Sequence, residues 1–203
     1  MSLWPVVWTL SFFAVLIWSG INPKEYPTWV LEVSPGVIGF IVLAVTRKNF
    51  PLTTLCYSLI LVFCWILFVG GHYTYAEVPL FDTIKEVFNQ SRNNYDKVGH
   101  FAQGFVPAII CREIVIRLNI INGNLYTHFF TLCFVLALSA FYELIEWWVA
   151  LLSDDAAASF LGTQGYVWDT QSDMAWALTG GIFALVLLSK VHNKQINQLQ
   201  KIS

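Results

Sequence analysis

The sequence predicts an all-α polytopic membrane protein, a bundle of six transmembrane helices. Of its 203 residues, 57% are hydrophobic and 12% are charged, whereas soluble domains carry about 25% charged residues. Six segments approach the roughly 20 mostly apolar residues that a spanning helix needs. These segments are too long for barrel strands, which last about 10 residues and alternate in polarity. We therefore expect helices throughout.

The six predicted spans form one transmembrane helical domain over residues 1–203. The first span is expected to stay in the mature protein, because a cleavable signal needs Lys or Arg before its apolar stretch and none precedes Trp4. The fourth span is the weakest, because it carries His100 and Gln103, and Pro107 is expected to kink it. A position inside the bundle suits such a helix. The spans are about 3–20, 28–46, 51–71, 98–117, 126–152 and 171–190.

The distribution of basic residues predicts that both termini are cytoplasmic. With that orientation seven basic residues lie inside and four outside. The inner set is Arg47, Lys48, Arg112, Arg117, Lys190, Lys194 and Lys201, and the outer set is Lys24, Lys85, Arg92 and Lys97.

Two outer segments are long enough to have structure of their own. Residues 83–90 predict a short interfacial helix, because Phe81, Ile84, Val87 and Phe88 recur at helical spacing. Residues 153–170 predict a loop that folds over the outer mouth of the bundle.

Composition also excludes some partners and sites. The net charge of -2 and the scattered basic residues argue against nucleic-acid binding. The apolar spans predict the lipid bilayer as a partner, and a lipid or lipid-linked substrate is the partner expected of an enzyme. Cys56, Cys64, Cys111 and Cys133 lie in apolar spans without a C-x-x-C pair. We expect them to be small buried residues rather than disulfide or zinc-thiolate ligands.

Acids and one histidine gather where four span ends meet on the outer side. Helical periodicity puts Asp96, His100 and Gln103 on one face of the fourth span. Glu143 and Glu146 share one face of the fifth span. Asp169 and Asp173 share one face at the start of the sixth span. Carboxylates this close must bind a cation, share protons or open to water.

A divalent metal is the predicted cofactor, with Mg, Mn, Zn and Fe left open. The predicted ligands are His100, Glu143, Glu146 and Asp173. Asp96 and Asp169 are the predicted catalytic residues, as a general base or an orienting group, although either also fits a helix N-cap. Residues expected to contact a substrate are His72, Tyr73, Tyr75, Glu77, Gln103, Trp147 and Gln164.

Three functions fit this pattern. A metal-dependent enzyme would act on a lipid or lipid-linked substrate at the outer leaflet, without a serine nucleophile, since no G-x-S-x-G motif occurs. A transporter would use the same acids for a cation or proton, but few polar residues line the inner half of the spans. A scaffold would use the polar cluster only to fix helix packing.

Polar residues at the inner end of the spans are expected to have no role in this site. His128 and His192 are predicted surface groups. Arg112, Glu113 and Arg117 are predicted to form an inner anchor with a local ion pair.

Four stretches resemble the YjdF-like family of uncharacterised bacterial inner-membrane proteins. They are Gly70–Pro79 (GGHYTYAEVP), Asp96–Ala108 (DKVGHFAQGFVPA), Tyr142–Trp148 (YELIEWW) and Gly162–Met174 (GTQGYVWDTQSDM). The resemblance implies a multi-pass protein of the bacterial inner membrane and carries no activity with it. Asp96–Phe101 (DKVGHF) is also similar to a short motif of VanZ-like membrane proteins, which implies a role in the cell envelope.

Overall fold

The computed structural model describes residues 3–152 and 164–201, and its regular secondary structure there is α-helical. This confirms the all-α class. Residues 153–163 of the predicted outer loop lie outside the described residues. The helices in the described part are α1 (Trp4–Ser19), α2 (Tyr26–Thr46), α3 (Thr54–Tyr73), α4 (Pro79–Val87), α5 (Tyr95–Arg117), α6 (Asn124–Leu152) and α7 (Asp169–Gln200).

Four of these helices, α2, α3, α6 and α7, are long and apolar enough to cross a membrane. A helical membrane protein is therefore confirmed, but length and composition do not support six spans. α1 is apolar but only 16 residues long. α5 has charged residues near both of its ends, which lower its mean hydropathy. Pro107 lies inside α5, and the helix continues through it to Arg117.

The short helix predicted at residues 83–90 exists, but it starts four residues before the predicted position. α4 begins at Pro79 and ends at Val87. Proline suits the first turn of a helix because the backbone N–H that it lacks would have no partner inside the helix.

The chain divides into two compact units. Unit 1 comprises Met1–Val45, Leu61–Gly99 and Ile145–Val167, and unit 2 comprises Thr46–Ile60, His100–Leu144 and Trp168–Ser203. In unit 1 the core is aromatic. The Phe12 ring lies 4.9 Å from that of Phe40 and 5.2 Å from that of Phe68, and both Phe12 and Phe68 are fully buried.

The chain of unit 1 folds back directly after α3. The backbone N–H of Tyr75 donates to the carbonyl of Gly70 at 2.9 Å. The buried ring of Tyr75 then covers Gly70 and Gly99, where a Cβ at Gly70 would overlap the ring. This turn keeps the start of α4 close to the end of α3.

In unit 2 two glycines let α5 and α7 approach closely. A Cβ at Gly104 of α5 would overlap the backbone of Ala177, and a Cβ at Gly180 of α7 would overlap the backbone of Phe101. The two backbones are thus in direct contact, as small residues permit in membrane helices. This crossing determines which side chains of the two helices can meet.

Candidate metal site

The crossing of α5 and α7 places His100 beside Asp173. His100 precedes Gly104 by one helical turn, and Asp173 precedes Ala177 by one turn. Gly104 contacts Ala177 and Gly180 contacts Phe101, and the side chains of His100 and Asp173 meet beside this crossing. Both are close to the start of their helices, about 8 Å from Tyr95 for His100 and about 6 Å from Asp169 for Asp173.

His100 lies between two carboxylates from different helices. Its Nε2 is 3.7 Å from Oδ2 of Asp173, and its Nδ1 is 3.9 Å from Oε1 of Glu143 on α6. All three residues are more than nine-tenths buried. Both separations exceed the usual length of a hydrogen bond, so the charges face one another at the distance of an ion pair or of two ligands of one ion.

Gln103 determines which ring nitrogen of His100 carries the proton. Its Oε1 lies 3.1 Å from Nδ1 of His100. An amide oxygen only accepts hydrogen bonds, so Nδ1 is the donor and carries the hydrogen. In a neutral imidazole the lone pair is then on Nε2, the nitrogen nearest Asp173. We call His100, Gln103, Glu143 and Asp173 the His100 site.

The donor atoms of the His100 site fit a divalent cation on its Nε2 side. Metal–nitrogen and metal–oxygen bonds are about 2.0–2.2 Å long, so two ligand atoms of one ion are separated by about 3.0–3.4 Å. The 3.7 Å between Nε2 of His100 and Oδ2 of Asp173 needs only a small adjustment. Gln103, on the other nitrogen, has the position of an outer hydrogen-bond partner that orients a ligating histidine.

The remaining predicted ligands and catalytic residues are placed as follows. Asp169 is buried at the first position of α7 in unit 2, and the N-cap is Trp168, so the cap role is excluded for Asp169. Asp96 is the second residue of α5, so it is not an N-cap either. Asp96 belongs to unit 1 and pairs there with Arg92 at 3.3 Å and Lys97 at 3.6 Å. Glu146 is a buried residue of unit 1.

Among the predicted substrate contacts, only Gln103 lies in unit 2. The other six belong to unit 1, where His72 Nδ1 lies 3.0 Å from the carbonyl of Ser19 and Glu77 pairs with Lys24. Gln164 makes two hydrogen bonds, of 3.0 and 2.9 Å, with the backbone of Asn93.

Tyr75 packs inside unit 1, whereas Trp147 is about half exposed and Tyr73 is half-buried. The substrate role of these side chains stays a prediction.

A second polar cluster, which sequence reasoning did not assemble, surrounds Glu113 in unit 2. The carboxylate accepts hydrogen bonds from the backbone N–H and the hydroxyl of Thr53, at 2.9 and 2.7 Å. It also accepts from Cys56 Sγ at 3.0 Å, from His192 Nε2 at 3.0 Å and from Arg117 Nη1 at 2.9 Å. We call Thr53, Cys56, Glu113, Arg117 and His192 the Glu113 cluster.

Two expectations about this cluster are settled by its geometry. The local pair of Arg117 with Glu113 is confirmed. The surface position predicted for His192 is wrong, because this residue is fully buried against Glu113. Its place near the polar end of the sequence suggested a solvated tail, but α7 extends to Gln200 and carries His192 inside.

Cys56, Glu113 and His192 have donor atoms close enough to share a metal ion, but their hydrogen bonds do not fit one. Arg112 Nη1 lies 3.1 Å from Nδ1 of His192 and can only donate, so Nδ1 accepts. The hydrogen of His192 is therefore on Nε2 and is given to Glu113. A nitrogen that carries a hydrogen is not a metal ligand, and two guanidinium groups nearby oppose a cation.

Comparison with known proteins gives the chain a family. Residues 4–194 match the model of a family described as predicted membrane protein (DUF2238). The chain is 46% identical over 189 residues to the inner membrane protein YjdF of Escherichia coli (strain K12). This match covers 93% of this chain and 90% of that protein. No solved structure matches significantly. The chain belongs to the DUF2238 family of predicted membrane proteins, the YjdF-like family.

Proposed function

We propose that the protein is a metal-dependent enzyme of the bacterial inner membrane whose His100 site binds a divalent cation and acts on a lipid or lipid-linked substrate. The observation that carries the proposal is the burial of His100 between Glu143 and Asp173. Buried charges in a membrane protein are costly and usually serve a function. A cation would offset the repulsion between the two carboxylates.

Each residue of the His100 site has a proposed role. Nε2 of His100 and Oδ2 of Asp173 are inner ligands, and Gln103 holds the imidazole through Nδ1. Glu143 lies nearer to Nδ1 than to Nε2. Its proposed role is to stabilise the imidazole at Nδ1, and it is not a ligand of the ion bound at Nε2. Asp169, which is buried one turn before Asp173, is the proposed general base.

The position of the site supports a substrate held in the membrane interface. His100 and Asp173 lie within about two helical turns of the starts of α5 and α7. A bound divalent ion would polarise a phosphoryl oxygen or acidify water. Lipid phosphates and related envelope intermediates present that oxygen at this depth, and they are the proposed substrate class.

The proposed topology has six membrane crossings, with both termini in the cytoplasm. The four long apolar helices are supplemented by α1, which is apolar, and by α5, which packs directly on the backbone of α7. An even number of crossings puts both termini on one side, and the excess of Lys and Arg assigns that side to the cytoplasm. The inner membrane is proposed because the Escherichia coli relative is named as an inner-membrane protein.

A proton-binding transporter is the second candidate. The observation that favours it is that both ring nitrogens of His100 face a carboxylate, at 3.7 and 3.9 Å. A protonated imidazole would satisfy both carboxylates without a metal. Under this hypothesis occupancy of the site follows pH and is insensitive to chelators.

Elemental analysis of detergent-purified protein tests the metal site. We expect a near-stoichiometric divalent metal in the parent and its loss in His100→Gln and Asp173→Asn, with folding retained. Glu86→Gln is the matched control, because Glu86 is an exposed carboxylate on α4. Equal metal in all variants, or no metal in the parent even after reconstitution, would refute the proposal.

Purified protein with bound metal is then incubated with polyprenyl and diacylglycerol phosphates, and phosphate release is measured with and without chelator. Release that chelator and Asp173→Asn both abolish supports the enzyme. A metal-loaded protein that transforms none of these lipids would retain the metal site and reject the substrate class.

A further inference from the structure

Helix α4 leaves an apolar face uncovered. Leu80 is 65% exposed, Val87 is 72% exposed, and Phe88, directly after the helix, is 69% exposed. At about 100° per residue, Leu80, Ile84 and Val87 fall within about 60° of one another on the helix surface. They therefore form one apolar face, which we call the α4 face, with Phe88 at its edge.

A second side of α4 packs against other residues of unit 1. The Phe81 ring packs edge-on against Tyr95 with 5.2 Å between ring centroids. Oδ1 of Asp82 accepts a hydrogen bond of 2.9 Å from Nδ2 of Asn93. Because these contacts fix the rotation of α4 about its own axis, the α4 face stays exposed.

A third side of α4 is polar and exposed. Glu86 and Thr83 are exposed and lie about 120° and 60° from Leu80 around the helix. α4 thus has one side that packs on protein, one exposed apolar side and one exposed polar side. A helix at the surface of a bilayer needs an apolar face and a polar face, and α4 has both.

The turn after α3 keeps α4 near the membrane. α3 is one of the four helices able to cross a membrane, and it ends at Tyr73. The chain then folds back, with Tyr75 on Gly70 and with Val78 buried. The hydroxyl of Tyr95, which packs on α4, donates to the carbonyl of Ile66 within α3 at 2.9 Å. α4 is therefore held beside the last two turns of a membrane-crossing helix.

We infer that α4 is an interfacial helix that inserts Leu80, Val87 and Phe88 into the lipid surface at the end of α3. A second copy of the chain is a poorer occupant for this face. A nine-residue helix is about 14 Å long and about 10 Å wide, so it offers far less than the roughly 800 Å² per partner of a specific interface. The inference does not depend on the proposed metal site.

Spin labels on neighbouring residues test the inference. The burial predicted for the cysteines holds for Cys56, Cys64 and Cys111 but is wrong for Cys133, which is exposed. Cys133→Ala therefore gives the background into which Val87→Cys or Glu86→Cys is introduced. Both positions are exposed and differ by about 100° around α4. The labelled protein is reconstituted into phosphatidylethanolamine–phosphatidylglycerol vesicles, and collision with oxygen and with a water-soluble nickel chelate is measured.

We expect the label at position 87 to collide several-fold more with oxygen than with the nickel chelate, and the label at position 86 to show the reverse. If Val87→Cys does not fold, Leu80→Cys on the same face carries the same expectation. Equal exposure of both labels to the nickel chelate would overturn the inference. Protection at position 87 that disappears when protein is diluted in lipid would also overturn it, in favour of a second copy.

Discussion

Two buried histidines of unit 2, His192 and His100, lie beside carboxylates in different arrangements. His192 donates to Glu113 at 3.0 Å and accepts from Arg112 at 3.1 Å, so both ring nitrogens have short hydrogen bonds. His100 has a short contact with Gln103 on Nδ1, whereas Asp173 lies 3.7 Å from its Nε2. The first histidine is bonded as a structural group, and the second directs a ring nitrogen towards a carboxylate at a distance slightly longer than that between two ligands of one metal ion.

Burial and residue type therefore do not distinguish a candidate metal site from a structural cluster of hydrogen-bonded side chains. Both clusters combine histidine and carboxylate, and both are buried. What separates them is the neighbour of the second ring nitrogen. A guanidinium on Nδ1 makes Nε2 a donor, while an amide oxygen on Nδ1 leaves the lone pair on Nε2.

The largest effect is expected from Gly104→Ala, which moves α7 away from His100. The added Cβ would overlap the backbone of Ala177, and a backbone cannot rotate aside as a side chain does. Overpacking of side chains typically costs about 1–3 kcal/mol, and we expect a larger loss here. The measurement is the yield of monodisperse protein after solubilisation.

Gly39→Ala is the control for this prediction. A Cβ at Gly39 meets no described atom within 4 Å, and alanine is the better helix former by about 1 kcal/mol. Gly39→Ala should therefore yield as much folded protein as the parent. Equal tolerance of both changes would show that α5 and α7 are not in backbone contact.

The next effect is expected from Glu113→Gln, which breaks the Glu113 cluster. Arg117 would then face a neutral amide, and His192 would lose its charged acceptor. Removing one partner of a buried ion pair costs about 3–5 kcal/mol. Unfolding in mixed detergent, followed by tryptophan fluorescence, measures the loss.

Glu86→Gln again serves as the control, because an exposed carboxylate on α4 should change stability by no more than about 0.5 kcal/mol. The structural interpretation of the Glu113 cluster fails if the two variants unfold together.

The fold was predictable to the extent that apolar length and spacing determine it. The long apolar segments became α2, α3, α6 and α7, and the start of α7 at Asp169 placed Asp173 one turn inside it as expected. Whether α5 crosses the membrane was harder to predict, because charged residues at both ends of its apolar stretch lower the mean hydropathy of the helix.

The candidate site was predictable in part, for a physical reason. Spacing along one helix placed Gln103 on the face of His100, and the contact between them follows from it. Contacts between helices depend on which small residues meet. A single sequence does not show that Gly104 of α5 lies against Ala177 of α7. The Glu113 cluster was missed for the same reason, since Thr53, Glu113 and His192 come from three distant segments.

The smallest effect is expected from Gln103→Leu. This change removes the hydrogen-bond acceptor of His100 Nδ1 and leaves the neighbouring carboxylates in place. Without the Gln103 oxygen at 3.1 Å, Nδ1 faces the Glu143 carboxylate at the longer distance of 3.9 Å, so the tautomer with hydrogen on Nε2 competes and the ring can turn. Loss of such an orienting partner typically weakens metal binding 10–100-fold. We expect this weakening in a competition titration against a chromophoric chelator, at unchanged unfolding midpoint. Gln103→Glu keeps an acceptor oxygen on Nδ1 and should bind metal within a few-fold of the parent. A purely structural Gln103 would instead lower the unfolding midpoint in both variants and leave their metal affinities alike, and His100 would then be bonded no differently in kind from His192.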